Sequence, residues 1–183
     1  MIINQTTLPG VIEIIPRRIG DERGFFTETY NRATLAAHGV DLEFVQDNLS
    51  LSRAKGVLRG LHYQTEPQPQ AKLVRVARGS VFDVVVDIRR SSPTFRKWVG
   101  VTLSAEKGNQ LLVPVGFAHG FVTLETDVEV AYKVASHFSP QHDRSIRFDD
   151  PDIGVEWPVD LATITISQKD RDAPLLRDAE LFD

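Results

Sequence analysis

Short segments rich in branched and aromatic residues recur along the chain, and turn residues such as Gly79 and Gly108 separate them. Segments with this spacing are typical of strands in an antiparallel sandwich or barrel. Over residues 128–134 the alternation predicts that Val128, Val130 and Tyr132 share one face of a strand. The predicted strands cover residues 11–15, 25–30, 57–63, 72–76, 81–88, 98–103, 110–115, 120–124, 128–134 and 163–167.

Helical patterns are scarce. Residues 31–39 predict one short helix, with Asn31 as its N-cap and Gly39 just past its end. Another helical turn or two is expected after Lys169. There is no internal repeat, low-complexity tract or linker, so we expect one all-β domain over residues 1–183, with a few short helices and an appended C-terminal segment.

Composition narrows the possible functions. The 183 residues are 42% hydrophobic and 25% charged, as in ordinary globular proteins, and there is no cysteine. Disulfides, thiolate metal sites and a cysteine nucleophile are therefore excluded. The net charge of −4 argues against a nucleic-acid-binding protein, although a few arginines can still hold a small anion. The first residues lack a secretory signal pattern and the apolar runs are too short to cross a membrane, so a cytoplasmic protein is expected.

Two stretches have an unusual spacing of polar residues. His62 follows Gly56 after five residues, and Gly79 follows Lys72 after six. In the second stretch, residues 114–116 (Pro-Val-Gly) follow Gly108 after five intervening residues, and His119 follows Gly116 after two more. These spacings resemble the two motifs of the cupin superfamily, whose fold is a jelly-roll β-barrel. In metal-binding cupins the motifs supply three histidines and a glutamate to one divalent ion.

This chain departs from the metal-binding pattern at two positions. It keeps His62 and His119, but Gln64 stands at the place of the second histidine and Lys72 at that of the glutamate. An ammonium group repels a dication instead of binding it. We therefore predict that the fold holds no catalytic metal.

The remaining side chains can move protons without a metal. His62 can accept a proton, because an imidazole titrates near neutral pH. Lys72 can stabilise an oxyanion as it forms, and Tyr132 can return a proton from another direction. Such a set is sufficient to abstract a proton next to a carbonyl group. If the acid lies across the substrate from the base, the carbon is inverted.

Several longer motifs resemble one family, that of dTDP-4-dehydrorhamnose 3,5-epimerase. They occur in the family's order and span essentially the whole chain, at residues 20–26, 44–48, 57–63, 71–75, 81–87, 92–95, 114–121 and 167–170. The resemblance implies cofactor-independent conversion of dTDP-4-dehydro-6-deoxy-D-glucose to dTDP-4-dehydro-L-rhamnose, by epimerisation at C3 and C5.

The resemblance also implies a role for each matching residue. His62 is the proton acceptor oriented by Asp170, Lys72 lies at the C4 carbonyl, and Tyr132 is the proton donor on the opposite face. Phe138 stacks on the thymine ring. The other substrate-contacting positions are Arg23, Glu28, Gln46, Asp47, Asn48, Arg59, His119, Asp143 and Lys169. The family is homodimeric, and its N-terminal strand region, with Arg23 and Glu28, reaches the partner subunit's site.

Two positions differ from the common family residue. Asp143 is often glutamate, so its carboxylate reaches one methylene less far, and Phe138 is often tyrosine, so stacking is kept and a hydroxyl is lost. Val57, Arg59 and Leu61 are spaced two residues apart, which predicts that they share the inward face of a strand. A buried arginine needs an anionic partner, and the diphosphate of a ligand would supply one.

Other interpretations stay open at this point. His62 and Tyr132 can be structural residues, Arg23 and Arg59 can be surface charges, and Asp170 can cap a turn. A metal-dependent cupin enzyme, a non-catalytic sugar-binding cupin, and an enzyme that epimerises C3 alone or serves an antibiotic-sugar pathway are the alternative functions.

Overall fold

Most of the apolar segments form strands of two six-stranded layers in a computed structural model, which describes residues 1–183. All pairings within the layers are antiparallel except that of one short strand. The first sheet has the order β1-β2-β10-β7-β12-β5, and its strands are Ile2–Gln5, Ile12–Ile15, Gln110–Val113, Lys72–Arg78, Val128–Val134 and Gln46–Ser52. The second has the order β13-β6-β11-β8-β9, with strands Asp143–Ser145, Val57–Gln64, Phe117–Thr123, Ser80–Asp87 and Trp98–Ser104. A short strand β14, Thr165–Ile166, pairs in parallel with β6.

The two sheets pack against each other through side chains that alternate along the strands. Val81 and Val85 of β8 join a core cluster between the sheets, whereas Val84 and Val86 belong to a second cluster on the outer face. The C-terminal region covers that outer face with Phe148 and other apolar residues. Because β8 is buried on both faces, apolar residues occupy both sides of the strand instead of alternating with polar ones, with Asp83 as the exception inside the run.

The helices are few and short, as expected. Helix α1 covers Arg32–Ala36, and the side chain of Asn31 caps it by accepting from the backbone N–H of Thr34 at 3.1 Å. Helix α2 covers Gln168–Arg171, and a 3₁₀ helix follows at Leu176–Asp178. No helix is both long and apolar enough to cross a membrane.

The prediction of an all-β cupin-type jelly-roll fold with few short helices is confirmed, but the sheets do not close into a continuous hydrogen-bonded barrel. The sequence pattern missed four strands: β1, β5, β13 and β3 at Arg18–Asp21, which forms a separate hairpin with β4 at Gly24–Thr27. All four are short or rich in polar residues. Strand β5 (QDNLSLS) lies at a sheet edge, where little apolar surface is buried.

Candidate active site

A cleft opens between the two sheets. Many of the side chains that line it are polar, whereas those in the core between the sheets are apolar. Its larger part has a volume of about 460 Å³. An adjoining space of about 370 Å³ shares His62, Lys72, Tyr132 and Lys169 with it, so the two spaces form one cleft. Strands β6, β7, β11 and β12 and helix α2 each supply part of the lining.

A bulge in β6 brings His62 to the cleft. The register with β11 pairs His62 with His119 but Arg59 with Phe121, so β6 has one extra residue between the two pairs. Gly60 occupies this stretch with φ of 135°, and an added Cβ would lie 2.5 Å from the Cα of Gly120. The extra residue reverses the alternation of faces along the strand.

The bulge corrects one sequence prediction. Leu61 packs in the outer cluster with Leu58, while Arg59 and His62 line the cleft. Arg59 therefore shares a face with His62 and not with Leu61. It is also exposed at the cleft mouth instead of buried, with its Nε donating to Ser52 Oγ at 3.2 Å.

His62 and Asp170 form a close pair. The Nε2 atom of His62 lies 2.6 Å from Oδ1 of Asp170, and the side chain of Asp170 is only 4% exposed. The pairing of β14 with β6 carries the C-terminal segment over the bulge, and Ser167 Oγ accepts from the backbone N–H of Asp170 at 3.1 Å. The side chain of Ser167 therefore caps the helix, and the carboxylate of Asp170 is directed to His62 and does not cap a turn.

The surroundings of Asp170 favour its ionised form. Burial by itself raises the pKa of this carboxyl, but hydrogen bonds from His62, Gly60 and Ser167 outweigh burial and hold the pKa below its ordinary value. An anion beside an imidazole orients the ring and stabilises the imidazolium that forms on proton uptake.

The amine of Lys72 points into the cleft and not to bulk water. The residue is 9% exposed, and Nζ donates to the backbone carbonyl of His62 at 3.4 Å. Burial lowers the pKa of this amine to about 8, while the carboxylates of Asp143 and Asp83 act in the opposite direction. The ammonium form is therefore present at neutral pH and close to its titration point.

Tyr132 comes from the first sheet, whereas His62 comes from the second, so the phenol and the imidazole face the cleft from opposite walls. The phenolic oxygen of Tyr132 has no hydrogen-bond partner in the protein. Burial raises the pKa of Tyr132, which keeps the phenol protonated in the neutral range. A protonated phenol without a partner is suited to donate to a ligand.

A second imidazole–carboxylate pair lies beside the first. His119 lines the cleft, and its Nε2 atom lies 2.9 and 3.0 Å from the two carboxylate oxygens of Asp83 on β8. The side chain of Asp83 is completely buried. Sequence reasoning placed His119 at the site but overlooked Asp83. The available signal was a carboxylate in the middle of the apolar segment 81–86.

Most of the other expected binding residues reach the cleft. Lys169 lines it and forms an ion pair with Asp143. The adjoining space is lined by Gln46, Asn48, Phe138 and Asp143, and Phe138 is 56% exposed, so its ring is open to a stacking partner. Gln64 and Gln70 line the same space. The motif spacing singled out Gln64 only as the replacement of a histidine, and no sequence signal pointed to Gln70.

Three of the expected binding residues lie away from this cleft. Arg23 is exposed and forms an ion pair with Asp21. Glu28 accepts a hydrogen bond from Asn31 at 3.2 Å. The Asp47 side chain lies on the outer face of β5, where Lys133 pairs with it at 2.7 Å. None of these side chains contributes to the cleft of its own subunit.

The polar groups of the cleft are suited to proton transfer next to a carbonyl group: an oriented imidazole, an ammonium and an opposed phenol. No three His, Asp or Glu side chains converge in a way that could hold a metal ion. Fold and site together define an enzyme of the cupin type with acid–base side chains facing one cleft.

Comparisons with known proteins identify the family. The family model of dTDP-4-dehydrorhamnose 3,5-epimerase matches residues 5–178. The enzyme of that name from Salmonella typhimurium is 52% identical over 182 residues, covering 99% of this chain and 98% of its own.

Solved structures agree. The dTDP-6-deoxy-D-glucose-3,5-epimerase of Legionella pneumophila, in complex with dTDP-4-keto-L-rhamnose, has a TM-score of 0.93 at 45% identity, with 97% of this chain and 94% of that chain covered. The Bacillus anthracis enzyme with TDP and PPi bound has a TM-score of 0.92 at 46% identity, with coverages of 94% and 98%. The chain belongs to the dTDP-4-dehydrorhamnose 3,5-epimerase family and is an isomerase.

Proposed function

We propose that the protein inverts C3 and C5 of dTDP-4-dehydro-6-deoxy-D-glucose to give dTDP-4-dehydro-L-rhamnose, in dTDP-L-rhamnose biosynthesis. Family membership supports the substrate and the reaction. The observation that carries the mechanism is the pair of opposed walls: the His62–Asp170 base on one sheet and the Tyr132 phenol on the other. We further propose that the enzyme acts in the cytoplasm, without nucleic acid, as a single domain over residues 1–183.

The proposed reaction needs three groups. His62 takes the proton from the carbon next to the C4 ketone, and Asp170 stabilises the resulting imidazolium without taking the proton itself. The electron pair moves to the C4 oxygen, where the Lys72 ammonium stabilises the enolate. Tyr132 then donates its proton to the carbon from the opposite face, and proton transfer from His62 through solvent restores the phenol. The same cycle serves both carbons, with no cofactor and no metal.

The other cleft residues are proposed to hold the nucleotide. Arg59 and Lys169 are cations at the mouth and suit a diphosphate, and Phe138 offers an exposed ring to the thymine. Binding energy from this remote group can position the sugar. Further contacts are assigned to Gln46, Asn48, His119 and Asp143 through their side chains, and to Asp47 through its main chain at the sheet edge.

The protein is proposed to act as a homodimer. The β3–β4 hairpin exposes Ile19, Phe25 and Phe26, with Phe26 68% exposed, and a cluster of exposed apolar side chains favours a protein interface. Arg23 and Glu28 lie in and just after this hairpin and do not reach their own cleft. We assign them to the cleft of the partner subunit.

Mixed dimers test this assignment. Arg23→Ala and His62→Ala subunits are each expected to form inactive homodimers. In the mixed dimer one cleft would combine an intact His62 with an intact Arg23 from the other subunit, so about half of the normal activity per mixed dimer should return. If Arg23 acts in its own cleft, or not at the site, mixing restores nothing beyond the sum of the homodimers.

Isotope exchange tests the roles of His62 and Tyr132. In deuterium oxide, His62→Ala should abolish exchange at both C3 and C5, because the base is lost. Tyr132→Phe should still exchange but should form little inverted product, because the opposed acid is lost. Proton NMR of the sugar follows the two carbons separately, and Tyr30→Phe is a control outside the cleft. Exchange at the wild-type rate in His62→Ala would show that another base operates.

A further inference from the structure

Asp83 is a completely buried carboxylate with one hydrogen-bond partner, His119. The proposed chemistry gives it no direct role. A buried carboxylate costs several kcal/mol when its charge is not compensated, so its surroundings should contain the compensating charge. Its two neighbours on the interior face of β8, Val81 and Val85, are both apolar.

Lys72 on the facing sheet supplies a cation close to this carboxylate: its amine lines the same cleft as His119, the ring that Asp83 binds, and the Asp83 charge acts to raise the pKa of the amine. The groups around this amine are His62 on β6, His119 on β11, Asp143 on β13 and Lys169 on α2, besides Asp83 on β8 and the Tyr132 phenol on β12. Asp143 is already engaged in an ion pair with Lys169. Of the two carboxylates that act on the Lys72 amine, Asp83 is therefore the one that no other lysine or arginine neutralises.

Building on the proposed function, we propose that Asp83 is a positioning residue of the epimerisation site: its charge keeps the Lys72 amine protonated inside the cleft, and its two oxygens fix the ring of His119. The carboxylate touches neither the sugar nor the reacting carbons. It acts through two side chains that do line the cleft.

The contact with His119 has its own consequence. Because Nε2 carries the hydrogen donated to Asp83, Nδ1 is the ring nitrogen left for a ligand, and in the neutral imidazole it is a hydrogen-bond acceptor. The ring is then suited to accept from a sugar hydroxyl. Asp83 thus sets which ring nitrogen of His119 meets the substrate.

The test is the titration of Lys72 in the variant Asp83→Asn, which keeps the shape and a hydrogen-bond acceptor for His119 but loses the charge. NMR of protein labelled at the lysine side chains follows the titration directly, and the Lys72 signal is identified by its absence in Lys72→Met. We expect the Lys72 titration to move to lower pH, because an anion that favours the ammonium form is gone. The alkaline fall of kcat should move with it.

Each unit of pKa changes the ratio of charged to neutral amine by about tenfold, so a shift on the order of half a unit should lower the ratio of kcat at pH 8.5 to kcat at pH 6.5 by a further two- to threefold relative to the unaltered enzyme. The matched control is Asp87→Asn. Asp87 is equally buried on the same strand but is bound by Arg89, Ser92 and Thr94, and it should leave the Lys72 titration unchanged.

An unchanged Lys72 titration in Asp83→Asn would overturn the proposal, whereas Asp83→Glu should move the titration back towards the wild-type value. If Asp83→Asn does not fold, Asp83→Ser gives the same reading. The titration needs no turnover, so its result is separate from the exchange experiment on His62. A merely structural role for Asp83 would lower the unfolding temperature and leave the titration in place.

Discussion

At the level of single residues, the position of the Lys72 amine inside the cleft favours proton transfer by side chains over metal binding. The cupin-like spacing put Lys72 where metal-binding relatives place a carboxylate ligand, and the structure directs its Nζ into the cleft beside His62. That inference needed only residue type and spacing. Asp83 could not be found in the same way, because its importance depends on β8 being buried on both faces and on a lysine from the facing sheet.

The pH dependence of turnover should follow Lys72. Its pKa of about 8 lies well below the usual value for lysine, and the raised pKa of Tyr132 keeps the phenol out of this range. We expect kcat to fall as the pH rises through about 8, because the neutral amine no longer stabilises the enolate. A steady-state profile from pH 6 to 10 measures this. A profile that stays flat to pH 9.5 would contradict the role of Lys72.

Lys72 should also lower stability. Between about pH 8 and the ordinary lysine pKa of 10.5, the unfolded chain binds the proton that the folded chain has released, so the free energy of unfolding rises with pH in this window. The penalty is fully present below pH 8. Lys72→Met should therefore raise the free energy of unfolding at pH 7 by about 1–3 kcal/mol while removing activity, and the gain should shrink towards pH 10. Urea unfolding of both proteins at pH 7 and pH 10 measures this difference in the free energy of unfolding. A difference that does not change with pH would mean that the substitution acts through packing alone.

Asp170→Asn should lower kcat by roughly 10²–10⁴-fold, because the amide cannot stabilise the imidazolium and can favour the wrong tautomer of His62. Asp172→Asn is the matched control: this carboxylate lies at the end of the same helix, is exposed and bonds to Gln168. Steady-state kinetics should separate the two variants. Equal effects would mean that the dyad is not specific to residue 170.

At the level of elements, sequence pattern predicted the strands that are rich in apolar residues and missed short or polar strands at sheet edges and in the β3–β4 hairpin. The predicted helix after Asn31 and its cap were confirmed, because Asn31 satisfies the first turn locally, but the helix ends at Ala36 and does not continue to Gly39. The bulge at Gly60 was not predictable, since its register depends on the partner strand β11. That single residue decides whether Arg59 shares a face with His62 or with Leu61.

Gly60→Ala tests the importance of the bulge. The new Cβ would meet the backbone of Gly120 at 2.5 Å in a conformation with φ of 135°, so we expect a loss of about 2–4 kcal/mol in the free energy of unfolding, with lower activity. Gly39→Ala is the control, because Gly39 also has positive φ, at 85°, but open space around it. Its cost should be about 1 kcal/mol. Similar costs in chemical denaturation would show that backbone contact at Gly60 is unimportant.

At the level of the whole molecule, each sheet supplies part of the reaction site, and the C-terminal segment completes it. The first sheet holds Lys72 and Tyr132, the second holds His62 and His119, and the segment after β14 brings Asp170. Family resemblance in local motifs was sufficient to identify these residues from the sequence. Only the packing of the sheets explains why base and acid approach from opposite sides.

The central claim is that side chains carry out the proton transfer without a metal ion. The most direct test is proton NMR in deuterium oxide of dTDP-4-dehydro-6-deoxy-D-glucose with enzyme dialysed against a strong chelator, together with the metal content of the same sample. The account predicts undiminished exchange at C3 and C5 with far less than one metal ion per chain. Loss of exchange on dialysis, restored by stoichiometric iron, nickel or manganese, would contradict it.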